Sequence, residues 1–248
     1  MPHTGHILHG RYAVVSCHVE RPLDDDVWSR FSALQERRPG GFAIAALMRP
    51  PAEGEDEERW LERARSARAR GPFGLHTHWT APDHARPTGG DPAVLVGEQG
   101  RWLESVALKP TFFCGGGWYL DPDVAKVVAG LGYADCTATA FTPGYLEPGA
   151  PHVQLDEPAW LELGEGDRLL EVPTTHSIGM LARGLLAPFR RQVVHAYFHD
   201  TDLLDGRRAN ALRAGLRLLA FRRTVTDLDE LQRGLRPEKT MSFANSRP

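Results

Sequence analysis

Strand-type and helix-type segments alternate along almost the whole chain, and that order restricts the fold more than any single motif does. The β-branched runs RYAVVSCHVE (11–20) and QVVHAYFHD (192–200) have strand character. LDDDVWSRFSALQERR (23–38) and EDEERWLERARSARAR (55–70) instead carry apolar or oppositely charged residues at helical spacing. Further strands are expected in GGFAIAALMRP (40–50), GPFGLHTHWT (71–80), PTFFCGGGWY (110–119), ADCTAT (134–139) and LLEVPTT (169–175). Helices are expected over 91–108, 121–133 and 206–221, with a last short strand and helix in 222–235. No linker or short-period repeat interrupts the series, so residues 1–248 read as one domain. Strand and helix in repeated succession imply parallel strands with helices outside, an α/β barrel or a doubly wound sheet. The polar residues favour the barrel. His18, Glu20, His76, His78, the Gly115–Gly117 turn, Asp135 and His199 all fall at C-terminal strand ends, where barrel enzymes collect catalytic groups. An open sheet uses only the ends near its switch point.

Composition narrows the partners. A formal net charge of −3 leaves no broad basic face for phosphates or anionic lipid, so nucleic acid is not an expected partner. No apolar run approaches the roughly 20 residues that span a bilayer. The N-terminus MPHTGHILHGRYAVV lacks the basic, apolar and small-residue order of a signal peptide, and the expectation is a cytoplasmic protein with no membrane partner. Cys17, Cys114 and Cys136 are odd in number and lack C-x-x-C spacing, which argues against a disulfide framework or a structural zinc site. Nothing in the sequence gives the oligomeric state.

Residues i and i+2 of an extended segment point to one side, so His76 and His78 can converge on one divalent ion; the competing reading is a pair of solvated loop histidines. His18 and Glu20 share that geometry on the first strand and can complete a mixed site, with Glu20 alternatively pairing with an arginine. On QVVHAYFHD, His195, Tyr197 and His199 take one face. His199, nearest the strand end, is the candidate general acid, because an imidazole titrates near neutral pH; His195, deeper, is expected to be a hydrogen-bonded core residue. Asp200 either orients His199 or only begins the next helix. Three consecutive glycines are costly in chain entropy unless backbone approaches something closely, either a substrate or simply a tight turn. Trp79, Trp118 and Tyr119 near the expected mouth suit stacking on a sugar ring, or plain packing.

With these pieces in order, the chain resembles the polysaccharide deacetylase superfamily, of the NodB-homology or carbohydrate esterase 4 type, over about residues 12–232. VVSCHVE stands where that family has its aspartate strand. FGLHTHWTAP resembles its histidine motif in an H-x-H-x-W form, and FFCGGGWYLDPDVAKVVAGLGYADCTAT resembles its glycine turn, helix and Asp strand. LLEVPTT, VVHAYFHDTDLL and RRTVTDLDEL resemble its later strands and closing helix. The resemblance implies a distorted (β/α)7 barrel and metal-dependent removal of an acetyl-like group from a sugar-containing small molecule or biosynthetic intermediate. It places His76 as a metal ligand, His199 as acid and Asp135 as the Asp that orients the machinery, with Cys114, Gly116, Trp118 and Trp79 lining the substrate. The departures are His18 for the aspartate, Thr80 where the second histidine would stand, and Cys114 for an arginine. The expected altered site therefore uses His18, His76 and His78 as ligands of a divalent ion, zinc first, with Glu20 as base. The alternative is a metal-free barrel that binds carbohydrate or works through His18 and His199 alone.

Overall fold

The computed structural model describes residues 10–147, 149–184 and 191–243. Its strands are β1 (Tyr12–Val19), β2 (Ala45–Met48), β3 (Phe73–Thr77), β4 (Phe112–Gly115), β5 (Ala134–Asp135), β6 (Ala159–Gly164), β7 (Asp167–Glu171), β8 (His176–Ser177), β9 (Val193–His199), β10 (Thr224–Val225) and β11 (Thr240–Ser242). The α-helices are α1 (Asp25–Arg37), α2 (Glu57–Arg68), α3 (Pro92–Ser105), α4 (Pro122–Gly130), α5 (Ile178–Gly184), α6 (Gly206–Arg222) and α7 (Leu228–Gly234). One sheet runs β11-β6-β7-β5-β4-β3-β2-β1-β9-β8, with β10 beside β1, and every pairing except β6 with β7 is parallel. The stretch that leaves β7 passes from one partner to another. Val172 N donates to Asp135 O and Thr174 N to Ala138 O beside β5, and Thr175 N then donates to His195 O in β9.

Burial of both faces explains why these strands are nearly continuous apolar runs. On β1, Ala13, Val15, Cys17 and Val19 join the helix-side core with Phe31, Trp60 and Leu216. Tyr12 and Val14 join an inner cluster with Leu47, Phe112 and Val172, into which α7 inserts Leu228 and Leu231. Helix starts follow local chemistry: Asp24, Asp56, Asp91, Asp121, Asp205 and Asp227 each accept backbone N–H groups of the first turn. The strand expected over 40–50 is shorter, because Pro39–Gly41 forms a 3-10 turn and pairing begins only at Ala45. The sequence reading did not place β6, β8, β11 or α5. No helix among the described residues is long and apolar enough to cross a membrane.

Candidate functional site

The inner face of the sheet turns polar one level at a time toward its C-terminal edge. At the lower level His195 is fully buried; its Nδ1 donates to Val172 O (3.3 Å), so its Nε2 accepts the Ser16 hydroxyl (2.8 Å). This is the hydrogen-bonded core role expected of it. One level up, register places His18 opposite His199 and His76 opposite Cys114. The His18 ring lies against His76 (centroids 4.5 Å apart), Tyr197 (5.2 Å) and Trp118 (5.3 Å), and its Nε2 is 3.5 Å from Cys114 Sγ.

At the edge, Glu20 Oε1 lies 3.6 Å from His76 Nε2, 3.3 Å from His78 Nε2 and 3.5 Å from His199 Nε2, and the His76 and His78 Nε2 atoms are 3.3 Å apart. The other ring nitrogens are committed. His76 Nδ1 donates to Cys114 O (2.9 Å) and His78 Nδ1 to Pro82 O (2.5 Å). In their neutral forms both histidines therefore present lone pairs, beside a carboxylate, to the same point. Three acceptors with no donor among them call for a cation. Ligands about 2.0–2.1 Å from a tetrahedral ion stand about 3.3 Å from one another, close to the spacing here, so these residues fit a divalent metal. When no ion is bound, a proton on His76 supplies that positive charge instead and is donated toward Glu20. Burial alone would raise the Glu20 carboxyl, but hydrogen bonds with His76 and His78 and the charge of His199 hold it well below the usual carboxylate range. Burial opposes charge on His76, yet Cys114 and Glu20 push it up to about 10.

The expected ligand set was His18, His76 and His78 with Glu20 as base. The structure instead groups Glu20 with His76 and His78, and His18 with His76 and Cys114 or with Glu20 and His199, ligand atoms lying within 4.8 Å in each group. His18 sits one level below Glu20, where burial lowers its pKa. Burial also opposes the Cys114 thiolate, but Cys136 and His18 outweigh it and lower the thiol well below its ordinary range. Cys114 is fully buried behind His18.

Other candidates take different places. Asp135 is fully buried beside Glu171, its register partner, and its Oδ1 accepts the Thr137 N–H and hydroxyl (3.0 and 2.6 Å). Thr137 Oγ1 in turn accepts from Gly115 N (2.7 Å), so Asp135 reaches the site only through the turn it props. Trp79 is buried under that turn, Nε1 donating to Gly116 O (3.0 Å), and packs edge-on against Tyr119 (ring centroids 5.0 Å apart). A Cβ on Gly116 would lie 2.6 Å from Thr77 O and 2.7 Å from Ala85 O, so packing of the 77–85 loop accounts for this glycine. Gly117 needs its freedom as well, at φ +58° with Arg86 against it. Trp118 does face the site, packed between His18, Tyr197 (4.9 Å) and Phe141 (5.9 Å). His199 Nδ1 is 3.9 Å from Asp202, which also accepts its backbone N–H (3.0 Å); Asp200 instead accepts from Arg21 N (2.8 Å). Asp202, Arg49 and Tyr197 were not read from sequence as site residues. Two clefts flank the Glu20–His199 contact, one of about 510 Å³ bordered by Tyr197, His199 and Arg207, the other of about 580 Å³ bordered by Glu20, Arg49 and Asp83.

No family model and no curated protein matches the chain. Solved structures do. A CE4 family pseudoenzyme mutant with restored enzymatic activity superposes at TM-score 0.50 with 11% identity, over 96% of this chain and 71% of that one. The chain has the CE4, NodB-type deacetylase fold. The CE4 fold, at this identity, is what the match shows. A 4-α-glucanotransferase from Thermococcus litoralis superposes at 0.58 with 12% identity over 95% of this chain, which spans 42% of that larger protein. A Bordetella bronchiseptica protein provisionally named a polysaccharide deacetylase of O-antigen biosynthesis reaches 0.47 with 14% identity, over 91% of this chain and 89% of that one.

Proposed function

We propose that the protein is a metal-dependent deacylase that removes an acetyl-like group from the nitrogen of a carbohydrate-type substrate. The observation that carries this reading is the convergence of Glu20 Oε1, His76 Nε2 and His78 Nε2 at 3.3–3.6 Å, with both Nδ1 atoms tied to carbonyl oxygens. Two imidazoles and one carboxylate suit zinc, the first ion to test. When bound, such an ion supplies Lewis acidity, polarising an acyl carbonyl and bringing the pKa of water toward neutrality.

The chain's own residues do the rest. Glu20, His76 and His78 hold the ion, so Glu20 is a ligand and not the base. His18, directly beneath and backed by Cys114, takes the base's place and receives the proton of the attacking water. His199, with Nε2 3.5 Å from Glu20 Oε1 and Asp202 behind it, is placed to hand a proton to the departing amine. Trp118 and Tyr197 wall the inner side and exclude water.

Titration of the metal-freed protein with Co²⁺ or Zn²⁺, followed by acetate release from N-acetylated sugars, tests this. One ion per chain with acetate release is expected, both lost in Glu20→Gln and His78→Ala. A wild-type chain that takes up no ion would overturn the proposal.

A further inference from the structure

Glu20 lies just past the end of the sheet ladder. β1 closes at Val19, whose last partner in β2 is Met48, and its last partner pair with β9 is His18 with His199. Regular structure thus stops before the residue whose carboxylate must be placed most closely. Two buried charged side chains take over where it stops. Arg49, 5% exposed, donates from Nε to the Glu20 carbonyl oxygen (3.0 Å), while its backbone N donates to Val19 O (3.1 Å). Asp200, 0% exposed, accepts the next amide, Arg21 N, on Oδ2 (2.8 Å) and Thr201 N on Oδ1 (2.8 Å).

We infer that Arg49 and Asp200 are positioning residues that clamp the Glu20 peptide from its two sides and so fix the carboxylate toward His76 and His78. The inference rests on the metal-site reading above. Each clamp is itself anchored. Glu55 holds the Arg49 guanidinium in a bidentate pair (2.8 and 2.9 Å) and accepts Ala52 N (2.7 Å), and Trp60 Nε1 donates to Arg49 O (2.7 Å). Asp200 follows His199 directly, so the same carboxylate ties the strand of the acid to the strand of the ligand. A bidentate guanidinium–carboxylate pair and a buried carboxylate on backbone N–H groups are stiff supports, because charge-assisted hydrogen bonds are short and directional.

Co²⁺ titration followed by absorbance, with melting temperature measured in parallel, separates positioning from mere folding. Asp200→Ala is expected to weaken ion binding roughly 10- to 100-fold, the range for loss of a support behind a ligand. Asp200→Asn, which keeps an oxygen for Arg21 N but turns an NH2 toward Thr201 N, should bind the ion more tightly than Asp200→Ala and less tightly than wild type. Glu55→Gln, which loosens Arg49 without replacing any ligand, should lower the melting temperature through the weakened ion pair and, in the folded protein, weaken ion binding as well. Folded Asp200→Ala with wild-type affinity overturns the inference, and so does Asp200→Asn as weak as Asp200→Ala. Should Asp200→Ala not fold, Glu55→Gln decides: weakened binding supports the clamp and unchanged binding overturns it. Failure of the wild type to bind the ion is a separate result that removes the metal reading itself.

Discussion

Gly116→Ala tests whether the glycine turn serves the proposed metal site by packing or a substrate by exposed backbone. The new Cβ would stand 2.6 Å from Thr77 O, 2.7 Å from Ala85 O and 3.2 Å from His78 Cδ2. Two of those three atoms are backbone oxygens, one at the end of β3 and one in the loop that follows it, and cannot rotate away. The turn and the loop must separate by roughly 0.7 Å to restore ordinary contact distances. Overpacking of this kind costs about 1–3 kcal/mol, or a fall of roughly 5 °C in melting temperature for a domain of this size. Because His78 is one of the atoms pushed, and its Nδ1 is pinned to Pro82 O, its Nε2 shifts relative to Glu20 and His76. Ion affinity should therefore drop roughly tenfold. Gly89→Ala is the control, since nothing lies within 4 Å of its Cβ, and it should change neither quantity. Calorimetry and metal titration on the two variants read both effects. Wild-type melting and affinity in Gly116→Ala, with only a raised KM, would refute this reasoning and return the turn to substrate binding.

Three further outcomes are expected. His199→Ala should lower kcat about 100-fold or more with little change in KM, as loss of a general acid does, measured by steady-state acetate release; a raised KM at unchanged kcat would make it a binding residue. Glu171→Gln should stabilise the protein increasingly as pH rises. Burial, and for Glu171 also the neighbouring Asp135, raises the carboxyls of this pair above their ordinary range, so the fold binds protons that the unfolded chain releases near pH 4. Stability is then fullest below pH 4 and falls as pH climbs above it; urea unfolding at pH 4 to 8 should show the variant's advantage widening, and a constant gap would refute it. Cys114→Arg should destabilise through a buried unpaired charge, and His18→Asp in the same chain should recover part of that loss, given the 3.5 Å contact. Additivity within about 0.5 kcal/mol in the double-mutant cycle would show the two positions to be independent.

The parallel layers were legible because each strand–helix unit carries its own signals: a β-branched run, then an Asp at the helix N-cap. The β6–β7 hairpin was not read, although its signal is present. Gly164, Glu165 and Gly166 all have positive φ between the runs AWLEL and DRLLE, and a two-glycine turn between apolar strands marks a hairpin. Single-residue alternation made it legible that His18 and Glu20 share a face and that His76 and His78 do. Which of the first pair meets the second was not, because it depends on how far each strand projects beyond its neighbours. Register sets that, and register is a property of pairs of strands. Arg49 escaped notice, and Asp200 was weighed only as a partner of His199 or a helix start, for a related reason: both act through the backbone of a residue in another segment, which no local pattern records.

The departures from the deacetylase pattern belong together when depth is counted in strand residues. Two residues along a strand is one step on the same face, about 6.6 Å toward solvent. The resemblance puts a carboxylate at position 18; here the carboxylate is Glu20, one step higher. An ion that follows it upward must be met there by both imidazoles. His76 reaches it from within β3, and its partner must come from the residue just past the strand end, which is His78, two positions on, and not Thr80, four positions on. The place the carboxylate left is filled by His18, and an arginine beside it would lack a partner, so Cys114 takes that position against the His18 ring. With the metal site proposed above, one upward step of its seat accounts for His18, Glu20, the H-x-H spacing and Cys114 together. It also accounts for the buried clamps: a ligand moved beyond the last strand pairing needs Arg49 and Asp200 to hold it, where a ligand within β1 would be fixed by the sheet itself.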